Sequence, residues 1–248
     1  MRVEPKCVDV MVAGRPMRTF VAAPADGLPH PGIAFYSDIF QLTESTLRWV
    51  SRLASYGFVV AAPEIYYRIE EPGTVLAFDD AGKDRGQADV SALSAAQFDE
   101  DIAMLLSWLA EHPRVSSPRL GAAGHCTGGH LAFRAALEPS VAATACWYPT
   151  GLADGVLGSD ADAGSLQRVA EVTGALLLIF GGSDPHTSAD SRAAIRAALD
   201  AADARYEWQV IPGAEHAFGR DVGPRWDPSA TDEAFAQTVA FFKANLGD

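Results

Sequence analysis

Cysteine is scarce in this chain: Cys7, Cys126 and Cys146 are the three in 248 residues. An odd number with no Cys-x-x-Cys pair implies neither a disulfide framework nor a zinc site, and no metal or cofactor is expected. Basic residues are also in the minority, 19 against 32 acidic, giving a formal charge of −13. A body this acidic repels phosphate backbones and anionic lipid headgroups, so neither nucleic acid nor a membrane surface is expected as a partner. No apolar run approaches the ~18 residues of a membrane span, and "MRVEPKCVDV" lacks the apolar core of a signal peptide. A soluble, cytoplasmic protein follows, monomeric or weakly self-associating. Linkers are missing too. With no Ser/Gly- or Pro-rich divider, internal repeat or charge block, a single domain over 1–248 is expected.

What is present is a strong alternation of strand and helix patterns. "VDVMV" and "RTFVAA" flank the turn-forming "AGRP" and predict an antiparallel hairpin. "GIAFYS" (32–37) is a short buried strand, followed by a helix in "TESTLRWVSRLASYG", where Leu47, Val50 and Leu53 share a face and Thr43 can cap. "FVVAAPE" is the next strand. From about Tyr66 to Leu93 the sequence is polar and poorly periodic, which predicts a long loop. "AAQFDEDIAMLLSWLAEHP" then places Phe98, Ile102, Leu105, Leu106 and Leu109 at helical spacing. Further strands in "RLGAAGHC", "VAATACWYP", "GALLLIFGGSD" and "YEWQVIP" alternate with helices in "GGHLAFRAALE", "SRAAIRAALDAA" and "TDEAFAQTVAFFKANL". Solid apolar strands separated by helices predict a mostly parallel α/β sheet of about eight strands, covered on both faces, with ligands at the carboxyl ends of the strands.

Three chemistry-bearing residues fall at such strand ends. Cys126 lies in Gly124-His125-Cys126-Thr127-Gly128, where small neighbours leave room for a nucleophile on a sharp strand-to-helix turn. Asp184 follows "ALLLIF" and a Gly-Gly-Ser turn, and His216 lies in "IPGAEHAFGR", just past the last strand. Singly, each has a plain structural explanation: a buried thiol, a turn aspartate, a solvated loop histidine. Together, nucleophile, acid and histidine in that chain order follow the α/β-hydrolase pattern. His216 would then hold the thiolate or take its proton, and Asp184 would fix the tautomer of His216.

These motifs resemble the dienelactone hydrolase family. "GHCTGG" is similar to its nucleophile elbow, "GGSD" to its acid turn and "EHAFGR" to its histidine loop. "SDIFQL", "APEIYYR" and "PGT" are similar to further family segments, so the resemblance spans nearly the whole chain. It implies the α/β-hydrolase fold and a catalytic triad of Cys126, Asp184 and His216. It implies an oxyanion hole from the backbone N–H groups of Ile39 and Thr127, and a carboxylate-binding pair, Arg85 and Arg220. Asp38 stands where the family has a glutamate that pairs with the resting cysteine and accepts its proton. Being one methylene shorter, Asp38 could instead bind water, cap a helix or pair with Arg85 or Arg220. His125 replaces a family tyrosine and is expected to pack under the turn.

Trp147 and Tyr148, at the end of the strand after the elbow, are candidates for the pocket wall or for the core. His186 is expected to be solvated, His130 structural, and Cys7 and Cys146 inert. The activity implied is opening of a small lactone, or cleavage of an activated ester, through a thioester. The substrate would be carboxylate-bearing if the two arginines act as the resemblance implies. The alternatives are a general carboxylesterase without a carboxylate clamp, and a non-catalytic or redox-sensing thiol domain on the same scaffold.

Overall fold

The computed structural model describes residues 1–247. The amino-terminal hairpin forms as expected: β1 (Val3–Val12) pairs antiparallel with β2 (Arg15–Pro24). Its turn residues Ala13 and Gly14 both take positive φ, as a tight hairpin turn demands. β2 runs antiparallel to β4 (Val59–Pro63), and every later pairing is parallel. The remaining strands are β3 (Gly32–Tyr36), β5 (Leu120–His125), β6 (Val141–Trp147), β7 (Ala175–Gly181) and β8 (Tyr206–Ile211). They make one eight-stranded sheet in the order β1-β2-β4-β3-β5-β6-β7-β8. This is the α/β-hydrolase architecture.

Both faces of the sheet are covered because its strands are apolar on both sides. In β7, Leu176, Leu178 and Phe180 face one apolar cluster, while Leu177 and Ile179 face the other. The first cluster takes in α3 (Ala95–Glu111), α4 (Thr127–Ala135) and α5 (Ala189–Ala201) through Leu105, Phe133 and Ile195. The second takes in α1 (Glu44–Ala54) and the closing helix α6 (Pro228–Leu246) through Trp49, Leu53, Phe235 and Phe242. Thr43 caps α1 as its sequence position predicts, accepting from the Thr46 N–H. Among the described residues no helix is long and apolar enough to cross a membrane.

One expectation is corrected. The stretch from Tyr66 to Leu93 is not loop throughout, because α2 (Asp80–Ser91) lies within it. Its sequence, DAGKDRGQADVS, shows no apolar stripe because the helix packs through backbone instead of side chains. Gly86 approaches the Ile39 backbone so closely that a Cβ would sit 3.2 Å from the Ile39 carbonyl carbon. Its own carbonyl accepts the Tyr66 hydroxyl at 3.1 Å. Asp79 caps the helix by accepting the Gly82 N–H at 2.8 Å.

The strand order reverses at β3, the first strand of the parallel region along the chain: β4 lies on one side of it and β5 on the other. Such a switch point opens a crevice above the carboxyl ends of the two strands. Cys126 leaves β5 at this crevice and opens α4 with φ 59° and ψ −122°, a conformation an L-residue adopts only under constraint. The turn can close because Gly128 lies directly against the carbonyl oxygens of Tyr36 and Ser37, at the end of β3. Neither backbone oxygen can swing aside for a methyl group. Gly128→Ala is therefore expected to destabilise the protein by about 3 kcal/mol or more, read from urea-unfolding midpoints. A loss under about 0.5 kcal/mol would mean that the turn does not depend on this contact.

Candidate functional site

Five strand ends contribute to one rim. The segment after β3 supplies Asp38 and Ile39, the turn after β5 supplies Cys126 and Thr127, and the chain leaving β6 supplies Tyr148 and Thr150. The loops after β7 and β8 bring Asp184 and His216. Non-glycine residues with positive φ gather here: Gln41, Cys126, Tyr148 and Ala217, four of the six among the described residues. Such strain costs about 1–3 kcal/mol per residue and collects where side chains must be aimed rather than merely packed.

Cys126 is buried, 8% exposed, and its Sγ lies 3.4 Å from the Thr150 hydroxyl oxygen. Its backbone is pinned from both sides. The Cys126 N–H donates to the Trp147 carbonyl at 3.0 Å, and its carbonyl accepts the N–H groups of Gly129 (2.9 Å) and Thr150 (3.2 Å). As the residue capping α4, it places the helix's first N–H groups beside the sulfur, where they favour an anion.

His216 and Asp184 form the charged half of the site. His216 Nδ1 is 2.7 Å from Asp184 Oδ2. A carboxylate can only accept, so Nδ1 carries the proton and Nε2 is left for the sulfur. Asp184 also accepts the N–H of His186 (2.7 Å) and of Thr187 (3.3 Å) on Oδ1, and the Thr187 hydroxyl (2.8 Å) on Oδ2. Burial would raise this carboxyl, yet its bond to His216, the imidazolium charge and these donors hold it below the usual carboxylate range.

The sulfur and the imidazole shift each other. Burial pushes the Cys126 thiol up. The charge and hydrogen bond of His216, helped by the Thr150 hydroxyl, outweigh burial and the opposing charge of Asp38, so the thiol falls below its ordinary value. Burial pushes His216 down, but the Cys126 charge and the bonds to Asp184 and Cys126 lift it to about 9. Both shifts, the thiol downward and the imidazole upward, favour a thiolate–imidazolium pair.

The cavity in front of Cys126 has a volume of about 430 Å³. Ile39 and Thr127 lie on its wall, and their N–H groups take no acceptor among the described residues, the condition for receiving an oxyanion. Arg220 is also on the wall, with Lys83 and Arg225. Its guanidinium sits 4.7 and 4.5 Å from the ring centroids of Phe40 and Phe78 and donates to Asp38 Oδ2 from Nη2 (2.8 Å) and Nε (3.2 Å). Among the described residues, no group of His, Cys, Asp and Glu is gathered to hold a metal ion.

These observations meet those of known proteins. The model of the dienelactone hydrolase family matches residues 17–246. The chain belongs to that family. It is 35% identical over 236 residues to a Saccharomyces cerevisiae protein named "Putative carboxymethylenebutenolidase", covering 92% of this chain and 85% of the relative. An Azospirillum brasilense protein of the same name is 27% identical, covering 92% and 93%. A Klebsiella pneumoniae chain described as "Putative Dienelactone Hydrolase" superposes with a TM-score of 0.86 at 25% identity, covering 98% and 99%. As a member of the dienelactone hydrolase family, this protein is a hydrolase acting on ester bonds.

Several residues of this family member lie elsewhere than the sequence implied. Arg85 is not on the cavity wall: it is more than half exposed and donates to Glu70 through Nε (2.8 Å) and Nη2 (2.5 Å), on the outer side of α2. Asp38 makes no hydrogen bond to Cys126; it is bonded instead to Arg220, one of the partners the sequence allowed, and accepts the Phe40 N–H (3.0 Å to Oδ1). Trp147 is core rather than wall, fully buried and bonded to the Thr238 hydroxyl at 3.0 Å. Tyr148 does not line the cavity either, but its ring packs 5.1 Å from that of His216 and braces it. His125 packs under the turn as expected, among Phe35, Trp49 and Trp147, and burial pushes it down to about 3.

His186 is exposed, as expected, and also stands on the cavity wall with its ring 4.7 Å from that of His216. Lys83, Arg225 and Thr150 were not singled out by sequence. Lys83 could not be, because α2 shows no periodicity that would aim it. The mutual shift of sulfur and imidazole has a direct test. Cys126→Ser removes the negative charge that chiefly lifts His216, so its imidazole should titrate at least about one unit below its native value of about 9. Ring-proton NMR titration of both proteins reads the shift, and equal values would mean that the sulfur is not charged.

Proposed function

We propose that Cys126, His216 and Asp184 act as nucleophile, base and orienting acid in the hydrolysis of a small ester or lactone through a thioester. The observation that carries this reading is a buried cysteine held at φ 59° at the start of a helix, beside an imidazole whose Nδ1 proton is tied to Asp184. Nothing in ordinary core packing requires that conformation, whereas a nucleophile needs it to stand clear of the sheet.

In the first half-reaction the Cys126 thiolate attacks the carbonyl carbon. The Ile39 and Thr127 N–H groups receive the developing oxyanion. The His216 imidazolium protonates the departing alkoxide, which is the free end of the opened ring when the substrate is a lactone. Sulfur is then neutral in the thioester. The charge that lifted His216 is gone, its pKa falls, and the neutral imidazole can take a proton from water in the second half-reaction. Asp184 stays ionised throughout and keeps Nδ1 protonated.

The substrate is proposed to carry a carboxylate read at the cavity wall by Arg220, with Lys83 and Arg225 beside it, against the acidic background of the chain. Arg85 is given no part. The pairing of Arg220 with Asp38 favours a second reading, a general carboxylesterase indifferent to a substrate carboxylate.

One set of measurements separates these. Intact mass spectrometry after mixing with p-nitrophenyl acetate should show an acyl adduct on the native protein that is lost in Cys126→Ala, with kcat falling at least about 10³-fold. Lys83→Ala and Arg225→Ala should raise KM about tenfold for anionic esters and leave neutral ones unchanged, with Arg85→Ala silent on both. No adduct and no turnover would remove the hydrolytic role of this site. Equal KM for both ester classes across all variants would leave the general esterase.

A further inference from the structure

We propose that Thr150 is a third partner of the reacting sulfur: its hydroxyl donates to the Cys126 thiolate at rest and again as that thiolate is expelled from the thioester. The proposal rests on Cys126 being the nucleophile. In this chain Asp38 is bound to Arg220 and the Phe40 N–H, so the sulfur has no carboxylate partner. Thr150 Oγ1 lies 3.4 Å from Sγ, within reach of a hydrogen bond to sulfur, and the residue lines the cavity. No other acceptor for that hydroxyl is found among the described residues.

Thr150 is held on the sulfur by a buried relay whose proton positions follow from what each group can do. The Thr150 N–H donates to the Cys126 carbonyl at 3.2 Å, so the two residues are tied through backbone as well. The Thr150 carbonyl can only accept, so His130 Nδ1, 3.3 Å away, carries the proton. Burial keeps His130 neutral, pushing it down to about 3. Its Nε2 is therefore an acceptor and takes the Ser165 hydroxyl at 2.7 Å. Ser165 in turn accepts Arg134 Nη1 at 2.9 Å, and Arg134 is paired with Asp99 through Nε (2.6 Å) and Nη2 (2.5 Å). Every polar group in this relay has a partner, and His130, Ser165 and Arg134 are almost wholly buried. A turn carrying no chemistry would not need such a fixed support. His130, Ser165 and Arg134 are positioning residues for Thr150.

The hydroxyl acts in both half-reactions. At rest it shares the thiolate with the His216 Nε2–H. During deacylation, water adds to the thioester carbonyl and gives its proton to His216. The tetrahedral intermediate collapses with the C–S bond pair returning to Sγ, and the Thr150 O–H stabilises that leaving thiolate while the acid product departs.

The titratable and charged groups around Cys126 are His216 from the loop after β8, with Asp184 behind it and His186 beside it, Asp38 from the segment after β3, Tyr66 after β4, Tyr148 after β6, and Lys83, Arg220 and Arg225 on the shared cavity wall. Thr150→Val, Thr150→Ala and Thr150→Ser leave all of these in place, so a change in thiol titration reports the hydroxyl. The pH dependence of Cys126 alkylation by iodoacetamide and of kcat/KM for p-nitrophenyl acetate should be measured for all three. Loss of the hydroxyl should move the thiolate titration up by about one unit and lower kcat about tenfold, while Thr150→Ser stays close to native. Thr150→Ala gives the same reading should the valine methyl disturb the fold. Unchanged titration in a folded Val or Ala variant would overturn the proposal, as would a Ser variant that behaves like them. A shift in alkylation without ester turnover by the native protein would uphold the thiolate contact and remove the hydrolytic role of Cys126.

Discussion

The site turns on one electrostatic constraint: a buried sulfur and a buried imidazole can carry charge only as a pair. Removing either charge from water alone costs several kcal/mol, and the buried site does not repay that cost unless the opposite charge is adjacent and hydrogen-bonded. Here each half is supported. Asp184 fixes the Nδ1 proton and offsets the imidazolium, while the start of α4 and the Thr150 hydroxyl lie beside the sulfur. His216 rises to about 9 because of that pairing, against the downward push of burial. In the proposed reaction, the same pairing lets one imidazole be an acid first and a base afterwards, since acylation would neutralise the sulfur and remove what held the proton.

The scaffold serves this pair by aiming side chains from the carboxyl ends of adjacent parallel strands. Positive-φ backbone turns the chain sharply at Cys126 and Tyr148, where β5 and β6 end, and at Ala217 in the loop after β8, which lets residues far apart in sequence face one cavity. At about 1–3 kcal/mol for each such residue, the strain needs a well-packed body behind it. The two apolar clusters on either side of the sheet supply that body, and the close fit of Gly128 against the end of β3 carries it to the turn itself.

Most of the fold could be read in the sequence because its determinants are local and apolar. Continuous hydrophobic strands such as Ala175–Gly181 and amphipathic helices such as Ala95–Glu111 announce themselves by period. Helix α2 did not, since Gly82 and Gly86 pack by backbone contact and leave no apolar stripe to count. The site divides along the same line. Cys126, Asp184 and His216 sit at strand ends in recognisable turns, and the structure brings them to one rim. What escaped depends on pairing rather than spacing. Arg85 is captured by Glu70, whereas for Asp38 the sequence left several partners open, and the one it takes is Arg220, 182 positions along the chain. Thr150 is brought to the sulfur by a chain that turns at Tyr148, φ 37°, and is tied by its N–H to the Cys126 carbonyl. No single-sequence pattern encodes such contacts.

The remaining electrostatics bear on what the cavity accepts. Among its wall cations, Arg220 pairs with Asp38 and Arg225 with Glu215 (3.5 Å), while Lys83 takes no ion pair among the described residues of an otherwise acidic protein. None of this matters unless the sulfur is already an anion before substrate arrives. The most direct test is the ultraviolet absorbance of the thiolate, titrated in the native protein against Cys126→Ser. A thiolate signal that develops below the pH at which an ordinary thiol ionises is the predicted result. A signal that emerges only near the ordinary thiol value, about 8.5, would contradict the charged pair and the chemistry built on it.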